Sequence, residues 1–363
     1  MHFQDLAMTM TAAALAITPP DARGGPPDHE AALERLFAGE SLTRAEAECV
    51  FAELVAGRLA EPAIAALLIA LRIKGESVDE LIGAARALRA ADLDFERPDY
   101  PFADSCGTGG DGSGTINLST AVAFVAAAAG LPMAKHGNRS VTSRCGSADV
   151  LERLGVKLEV SPATARRALD EARICFLYAP QYHPGLKHAG PVRRALKVRT
   201  VMNILGPCVN PAEPPVQLVG VADPGLVAPV AQTLAALGVE RAMVVHGGGL
   251  DEVALHAETI AVRLMDGETE RMTLSPELAG LARAPLSALA GGGPEENAAR
   301  LRALLAGRGA EAENHAVALN AGALLLAAGR AGTLEEGADI ALQILASGAG
   351  GRVLDHLVEI SHA

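Results

Sequence analysis

Residues 106–120 read CGTGGDGSGTINLST, with Gly107, Gly109, Gly110, Gly112 and Gly114 closely spaced. A short apolar piece that reads as a strand precedes them, and an alanine-rich helical stretch, 120–129, follows. Glycines let the backbone approach a ligand and turn its N–H groups outward, and a helix N-terminus adds partial positive charge. A strand, a glycine-rich turn and a helix in that order point to an α/β fold and a phosphate or diphosphate ligand. The turn is not a Walker loop, because no G-K-[ST] occurs in it. Gly107, Gly109 and Gly112 match the dinucleotide spacing G-x-G-x-x-G. The ribose-binding acid expected about 20 residues on is missing, since no Asp or Glu lies between Asp111 and Asp149. The dinucleotide reading is therefore set aside; a plain tight turn with a helix cap stays open at this point.

Outward from this stretch, β-rich pieces (175–178, 216–221, 242–246) alternate with helical ones (148–154, 163–172, 226–237). That alternation signals a largely parallel sheet. Residues 259–273 read as a hairpin around Asp266-Gly267, and the chain from about 294 reads as helix. Towards the N-terminus, the pattern is helical over about 29–98. Thr43 with Glu46 and Ser77 with Glu80 form capping boxes; Gly57 and Gly75 stop the first two of these helices, and the third runs to about Ala90. The apolar middle helix, 63–74, is expected to face a partner subunit. The fold class that results is α/β: a small N-terminal all-helical domain (29–98) and a larger α/β domain with a largely parallel central sheet (99–363). A segment near 188–212 is expected to pack with the helical domain. Residues 1–28, rich in Pro and Gly at their end, read as a disordered tail.

The chain has 363 residues, enough for two domains. Its 31 Lys and Arg against 43 Asp and Glu give a formal charge of −12, which argues against a nucleic-acid or anionic-membrane partner. With no Trp, three Tyr and seven Phe, stacking platforms for bases are also unexpected. Half the residues are hydrophobic, which excludes a disordered chain. Five scattered cysteines without a C-x-x-C pair read as reduced thiols rather than a zinc site or disulfide framework. No Lys or Arg precedes Arg23, so no basic secretory start is present, and no apolar run is long enough to span a bilayer. The expectation is a soluble, cytoplasmic protein.

Three further segments carry chemistry. Residues 135–143, KHGNRSVTS, pack two fixed cations, a His, an Asn and three hydroxyls into a loop suited to phosphate oxygens. Ser147 then opens the next helix as a further donor or a plain cap. Asp251-Glu252 follows the turn 246–250, HGGGL, and could hold Mg²⁺, which takes few carboxylates plus substrate phosphate oxygens. Arg193, Arg194, Lys197 and Arg199 offer a bidentate carboxylate site or the exposed basic face of a helix. His183 and His188 lack metal-ligand spacing and read as pocket-shaping or capping residues. No Ser-His-Asp or Cys-His arrangement is evident, so no covalent nucleophile is expected.

Jointly, these segments resemble the anthranilate phosphoribosyltransferase family. The matching pieces also include GSADVLERLG (146–155), HPGLKHAGPVRRAL (183–196) and RTVMNILGPCVNP (199–211). They occur in the family's order over about 101–252. The resemblance implies transfer of the 5-phosphoribosyl group of phosphoribosyl diphosphate (PRPP) to the amine of anthranilate, releasing diphosphate, in tryptophan biosynthesis. It implies that Gly107, Gly110, Asp111, Thr115, Asn117, Leu118, Ser119, Thr120, Lys135, His136, Gly137, Asn138, Arg139, Ser140, Val141, Thr142, Ser143 and Ser147 surround PRPP. It places Gly107, Asn138 and Arg193 on anthranilate and Mg²⁺ on Ser119, Asp251 and Glu252, and it implies a homodimer built through the helical domain. Met202, Cys208, Thr142, Cys145 and Gly248 depart from the common pattern without removing a charged ligand. A transferase for another aromatic acid, a pyrimidine nucleoside phosphorylase and a nucleic-acid-binding relative are the competing readings.

Overall fold

The computed structural model describes residues 29–140 and 144–363. The N-terminal tail and the expected PRPP contacts Val141, Thr142 and Ser143 lie outside the described residues. Helices α1 (His29–Phe37), α2 (Arg44–Val55), α3 (Glu61–Lys74) and α4 (Val78–Arg89) form the N-terminal module. Both capping boxes are present: Thr43 and Ser77 accept from the backbone of Glu46 and Glu80, whose carboxylates accept in return. The Glu80 carboxylate is fully buried and also accepts from Lys74 Nζ at 2.9 Å and the Leu42 N–H at 2.8 Å, so one side chain ties together three points of the module. Helix α3 buries Ile64, Leu67, Leu68 and Leu71 within the chain and leaves Ile73 80% exposed.

Helix α4 ends at Arg89, close to the end expected near Ala90. Beyond the turn the chain runs as an irregular strap. The Leu93 N–H donates to the Tyr182 carbonyl at 2.8 Å, and this ties the strap to the second domain.

That domain runs β1 (Ala103–Gly107), α5 (Leu118–Ala128), β2 (Met133–Gly137), α6 (Ser147–Arg153), α7 (Pro162–Glu171) and β3 (Ile174–Tyr178). Short helices α8 (Ala179–Tyr182), α9 (Gly190–Leu196) and α10 (Val201–Ile204) lead to β4 (Val216–Gly220), α11 (Val227–Ala236) and β5 (Arg241–Gly247). The hairpin β6 (Thr259–Met265) and β7 (Glu268–Leu274) turns at Asp266-Gly267 as expected. Helices α12 (Pro294–Ala303), α13 (Glu311–Ala327), α14 (Leu334–Ala346) and α15 (Ala349–His362) close the domain.

The seven strands lie in the order β3-β2-β1-β4-β5-β6-β7; the first five are parallel and the last two antiparallel. One apolar core joins α5 to α13, α14 and α15. Helix α5 buries four alanines there, and small side chains let helix backbones approach closely. The other core joins the N-terminal helices to α9–α11 and the β4–β5 side of the sheet. Segment 188–212 thus shares its core with the helical module.

Candidate active site

The sheet reverses direction of growth between β1 and β4: the chain winds through β2 and β3 on one side and through β5 on the other. Ligands of open α/β sheets bind at such a switch point, outside the strand C-termini. Here β1, β2, β4 and β5 end at Gly107, Gly137, Gly220 and Gly247. Gly107 and Gly220 are register partners on adjacent strands. A Cβ on Gly107 would stand 2.2 Å from Asp251 Oδ2, and one on Gly220 would stand 1.5 Å from the Asp251 carbonyl oxygen. Glycine at both positions therefore makes room for Asp251. A cleft of about 350 Å³ opens above these ends, within the range of small-ligand sites.

On one side of the cleft the groups are tightly cross-linked. Lys135, on β2, is 2% exposed; its Nζ donates to the Ser105 carbonyl at 2.6 Å and lies 3.4 Å from Ser119 Oγ. Below it sits the buried carboxylate of Asp104, pushed up in pKa chiefly by desolvation, opposed by the Lys135 charge and the Asn210 amide. Asn117 uses both ends of its amide: Nδ2 donates to the Cys145 carbonyl at 3.1 Å and Oδ1 accepts from Asn297 at 3.0 Å. Asn297 Oδ1 in turn accepts the Gly292 N–H at 2.8 Å, so α12 holds the entry of α5 in place. Thr115 forms an antiparallel bridge with Ala290, and Asp111 Oδ1 accepts the Ser113 N–H at 3.1 Å, closing the glycine-rich turn. The Thr120 hydroxyl is buried and makes no hydrogen bond among the described residues.

Asp251 Oδ2 accepts the Gly109 N–H at 2.6 Å. Burial, then the nearby Asp111 charge, raises the Asp251 carboxyl to about 6, and burial with the Asp251 charge raises Glu252 well above the usual range. Adjacent carboxylates held out of water and repelling each other fit a cation. Among the described residues no set of three His, Cys, Asp or Glu side chains is arranged to hold a metal alone. Two carboxylates completed by substrate oxygens is the donor set Mg²⁺ prefers.

The loop after β2 is shaped by its own hydrogen bonds. Ser147 Oγ lies 3.4 Å from the Asn138 carbonyl, and Asp149 accepts the N–H groups of Ser140 and Gly146. Arg139 lines the cleft, but its guanidinium is bound by Glu152 at 2.8 Å and Asp149 at 3.2 Å and lies 6.0 Å over the Tyr178 ring. Its charge is thus committed within the protein, unlike the free cation the sequence suggested. Arg144 lines the cleft from an exposed position.

The opposite side is sparse. Arg193, on α9, faces the cleft half-buried, and among the described residues no hydrogen bond or ion pair holds its guanidinium. Burial alone lowers its pKa. Gly107, Asn138, His136, Met202 and Leu186 line the same region. Of the other basic residues in that run, Arg194 is exposed, Lys197 caps α9 in the left-handed region, and Arg199 reaches Thr108 Oγ1 at 3.4 Å beside Gly110. The Arg72 guanidinium of α3 donates to the Arg199 carbonyl, tying the helical module to this turn. Met202 and Cys208 are buried packing residues, and Gly248 has φ +55°, a conformation glycine tolerates better than the acids common there.

Sequence reasoning did not assign Asp104, Asn210, Asn297 or Asp92. An Asp inside the short strand before Cys106 is a signal for Asp104, since an unpaired charge there would be costly. Asn297 carries no local signal.

This fold and site define a glycosyltransferase. The chain matches the glycosyl transferase family helical bundle domain over residues 30–91 and the family's a/b domain over 99–350. It is 58% identical over 331 residues to the anthranilate phosphoribosyltransferase of Sorangium cellulosum, covering 91% of this chain and 95% of that one. The crystal structure of the Thermus thermophilus anthranilate phosphoribosyltransferase superposes with a TM-score of 0.87 at 45% identity, covering 92% and 99% of the two chains. The Saccharomyces cerevisiae enzyme in complex with PRPP and Mg superposes with a TM-score of 0.84 at 26% identity, covering 92% and 98%. The chain belongs to the anthranilate phosphoribosyltransferase family.

Proposed function

We propose that this protein transfers the 5-phosphoribosyl group of PRPP to the amine of anthranilate, giving N-(5-phosphoribosyl)anthranilate and diphosphate, in tryptophan biosynthesis. The observation that carries the reading is the cleft's two unlike walls: a glycine-lined floor with buried Lys135, and a half-buried, unpaired Arg193 across from it. The floor suits diphosphate, and a desolvated guanidinium suits a carboxylate.

In this reading the PRPP side comprises Gly107, Gly110, Asp111, Thr115, Asn117, Ser119, Thr120, Lys135, Asn138 and Ser147. Ser119, Asp251 and Glu252 would hold Mg²⁺, which supplies charge neutralisation for the leaving diphosphate when bound. The turn's N–H groups and Lys135 receive the negative charge that gathers on diphosphate as its bond to ribose C1 breaks. Arg193 orients the anthranilate carboxylate so that the weakly basic amine faces C1, with Gly107 and Asn138 beside the ring. The aryl amine attacks directly, and positioning and electrostatics account for the rate without a covalent intermediate. Helix-module contact between two copies would make a homodimer, for which the exposed Ile73 on α3 offers an apolar point. We further read the protein as cytoplasmic, in keeping with its scattered, unbridged cysteines.

Anthranilate fluorescence should fall with time only when protein, PRPP and Mg²⁺ are all present. Folded protein that leaves the fluorescence unchanged at saturating substrates would overturn the reading.

A further inference from the structure

A buried chain of three side chains runs from the domain junction to the cleft. Asp92 lies in the strap between the domains, and its Oδ1 meets His183 Nδ1. His183 Nε2 lies 2.9 Å from His136 Nε2, with the rings edge to face at 4.9 Å. His136 stands on β2 at the cleft wall, next to Lys135. The three side chains are all nearly sealed from solvent, and Asp92 Oδ2 is buried without a hydrogen-bond partner among the described residues. A carboxylate left half-satisfied is costly, so its placement against His183 calls for a compensating role.

Proton accounting gives the chain a polarity. An ionised carboxylate only accepts, so His183 Nδ1 carries a proton towards Asp92, and in the neutral ring Nε2 is left with its lone pair towards His136. Two lone pairs do not face each other at contact, so His136 donates from Nε2, and its own Nδ1 is bare in the neutral ring. Burial, and secondarily the neighbouring His183 charge, hold the His136 pKa well below its ordinary value, in keeping with a neutral ring.

We propose that Asp92 is a positioning residue for the transfer: acting through His183, it fixes the tautomer and orientation of His136 at the acceptor side of the cleft. This rests on the transferase reading. A fixed, neutral His136 leaves Arg193 to capture the acceptor carboxylate without a competing imidazolium and presents one constant ring face to the aromatic acid. The strap is anchored at the same point by the bond from the Leu93 N–H to the Tyr182 carbonyl, so the junction and the acceptor wall are set together.

The test combines ¹⁵N-histidine NMR with kinetics, the resonances being assigned through His136→Gln and His183→Gln. In the unsubstituted protein His136 should be protonated on Nε2 and bare on Nδ1. Asp92→Ala should let both His136 tautomers populate and raise the KM for anthranilate on the order of 10-fold, with the KM for PRPP moving less than about twofold. Asp92→Asn, whose amide oxygen can accept from His183 Nδ1–H as the carboxylate does, should keep the tautomer and most of the anthranilate affinity. A His136 protonated on Nδ1 in the unsubstituted protein would overturn the proposal. So would Asp92→Ala with unchanged tautomer and kinetics, or equal rises of both KM values in Asp92→Ala and Asp92→Asn. The spectrum needs no turnover and no Asp92→Ala variant that folds, so its outcome is separable from the fate of the transferase reading.

Discussion

The two walls of the cleft are built on opposite principles. On the floor, Asn117, Lys135, Asp111 and the glycine-rich turn each meet a protein partner, and Asn297 and, behind Asp104, Asn210 support them from elements far away in sequence. Across the cleft, Arg193 meets no partner among the described residues. Donors for a polyanion need to be aimed before it arrives, because reorganising them during bond breaking would cost rate. A single carboxylate needs only one guanidinium, left partly desolvated so that pairing with the substrate is stronger than pairing with water. Substitutions on the floor should therefore disturb folding and chemistry together, and substitutions across from it should disturb acceptor binding alone.

The hardest test of that contrast is the carboxylate pair. Asp251→Asn with Glu252→Gln should lower Mg²⁺-dependent turnover on the order of 10³-fold or more. The metal-free variant should unfold at a temperature equal to or above that of the unsubstituted protein, because a desolvated like-charge pair has been removed. Unchanged turnover would remove the metal assignment. Arg193→Ala should come next, raising the KM for anthranilate roughly 100-fold, which corresponds to about 3 kcal/mol for charge-assisted bonds. The KM for PRPP and the unfolding temperature should barely change. Equal weakening of both substrates would mean that the walls are not independent.

A smaller effect is expected at Asn297, which touches neither proposed substrate. Asn297→Ala leaves the buried Gly292 N–H and Asn117 Oδ1 unpaired, a loss of about 1–3 kcal/mol of stability. The KM for PRPP should rise with it, while that for anthranilate should hold. Loss of stability without a PRPP effect would show that Asn117 is positioned by Cys145 alone.

The contrast also explains what could be read without coordinates. The floor's contacting groups sit in two short runs, 106–120 and 135–143, because a strand end, a turn and a helix start are contiguous in sequence. Their supports were not legible. Asp104 meets Asn210 across 106 residues and Asn117 meets Asn297 across 180, separations at which one sequence carries no pairing signal. Arg139 shows the converse: its loop was legible, but its commitment to Glu152 depends on where α6 packs. The end of α4 at Arg89 was legible in the local pattern, whereas the bond from Leu93 to Tyr182 in the other domain was not.

The smallest effect is a pH slope confined to the floor. Asp251 titrates near 6 in the folded protein, chiefly through burial and secondarily through Asp111, against an ordinary value of 3.8. The folded state therefore binds more protons than the unfolded state between these values, and stability falls as pH rises through that window. Metal-free protein should unfold at a higher temperature at the lower end of the window than above 6, as far as this group decides it. Asp251→Asn should remove that part of the slope, and Arg193→Ala should leave it intact, because Arg193 does not titrate there. A slope that survives Asp251→Asn, or disappears with Arg193→Ala, would mean that the two walls are electrostatically one site.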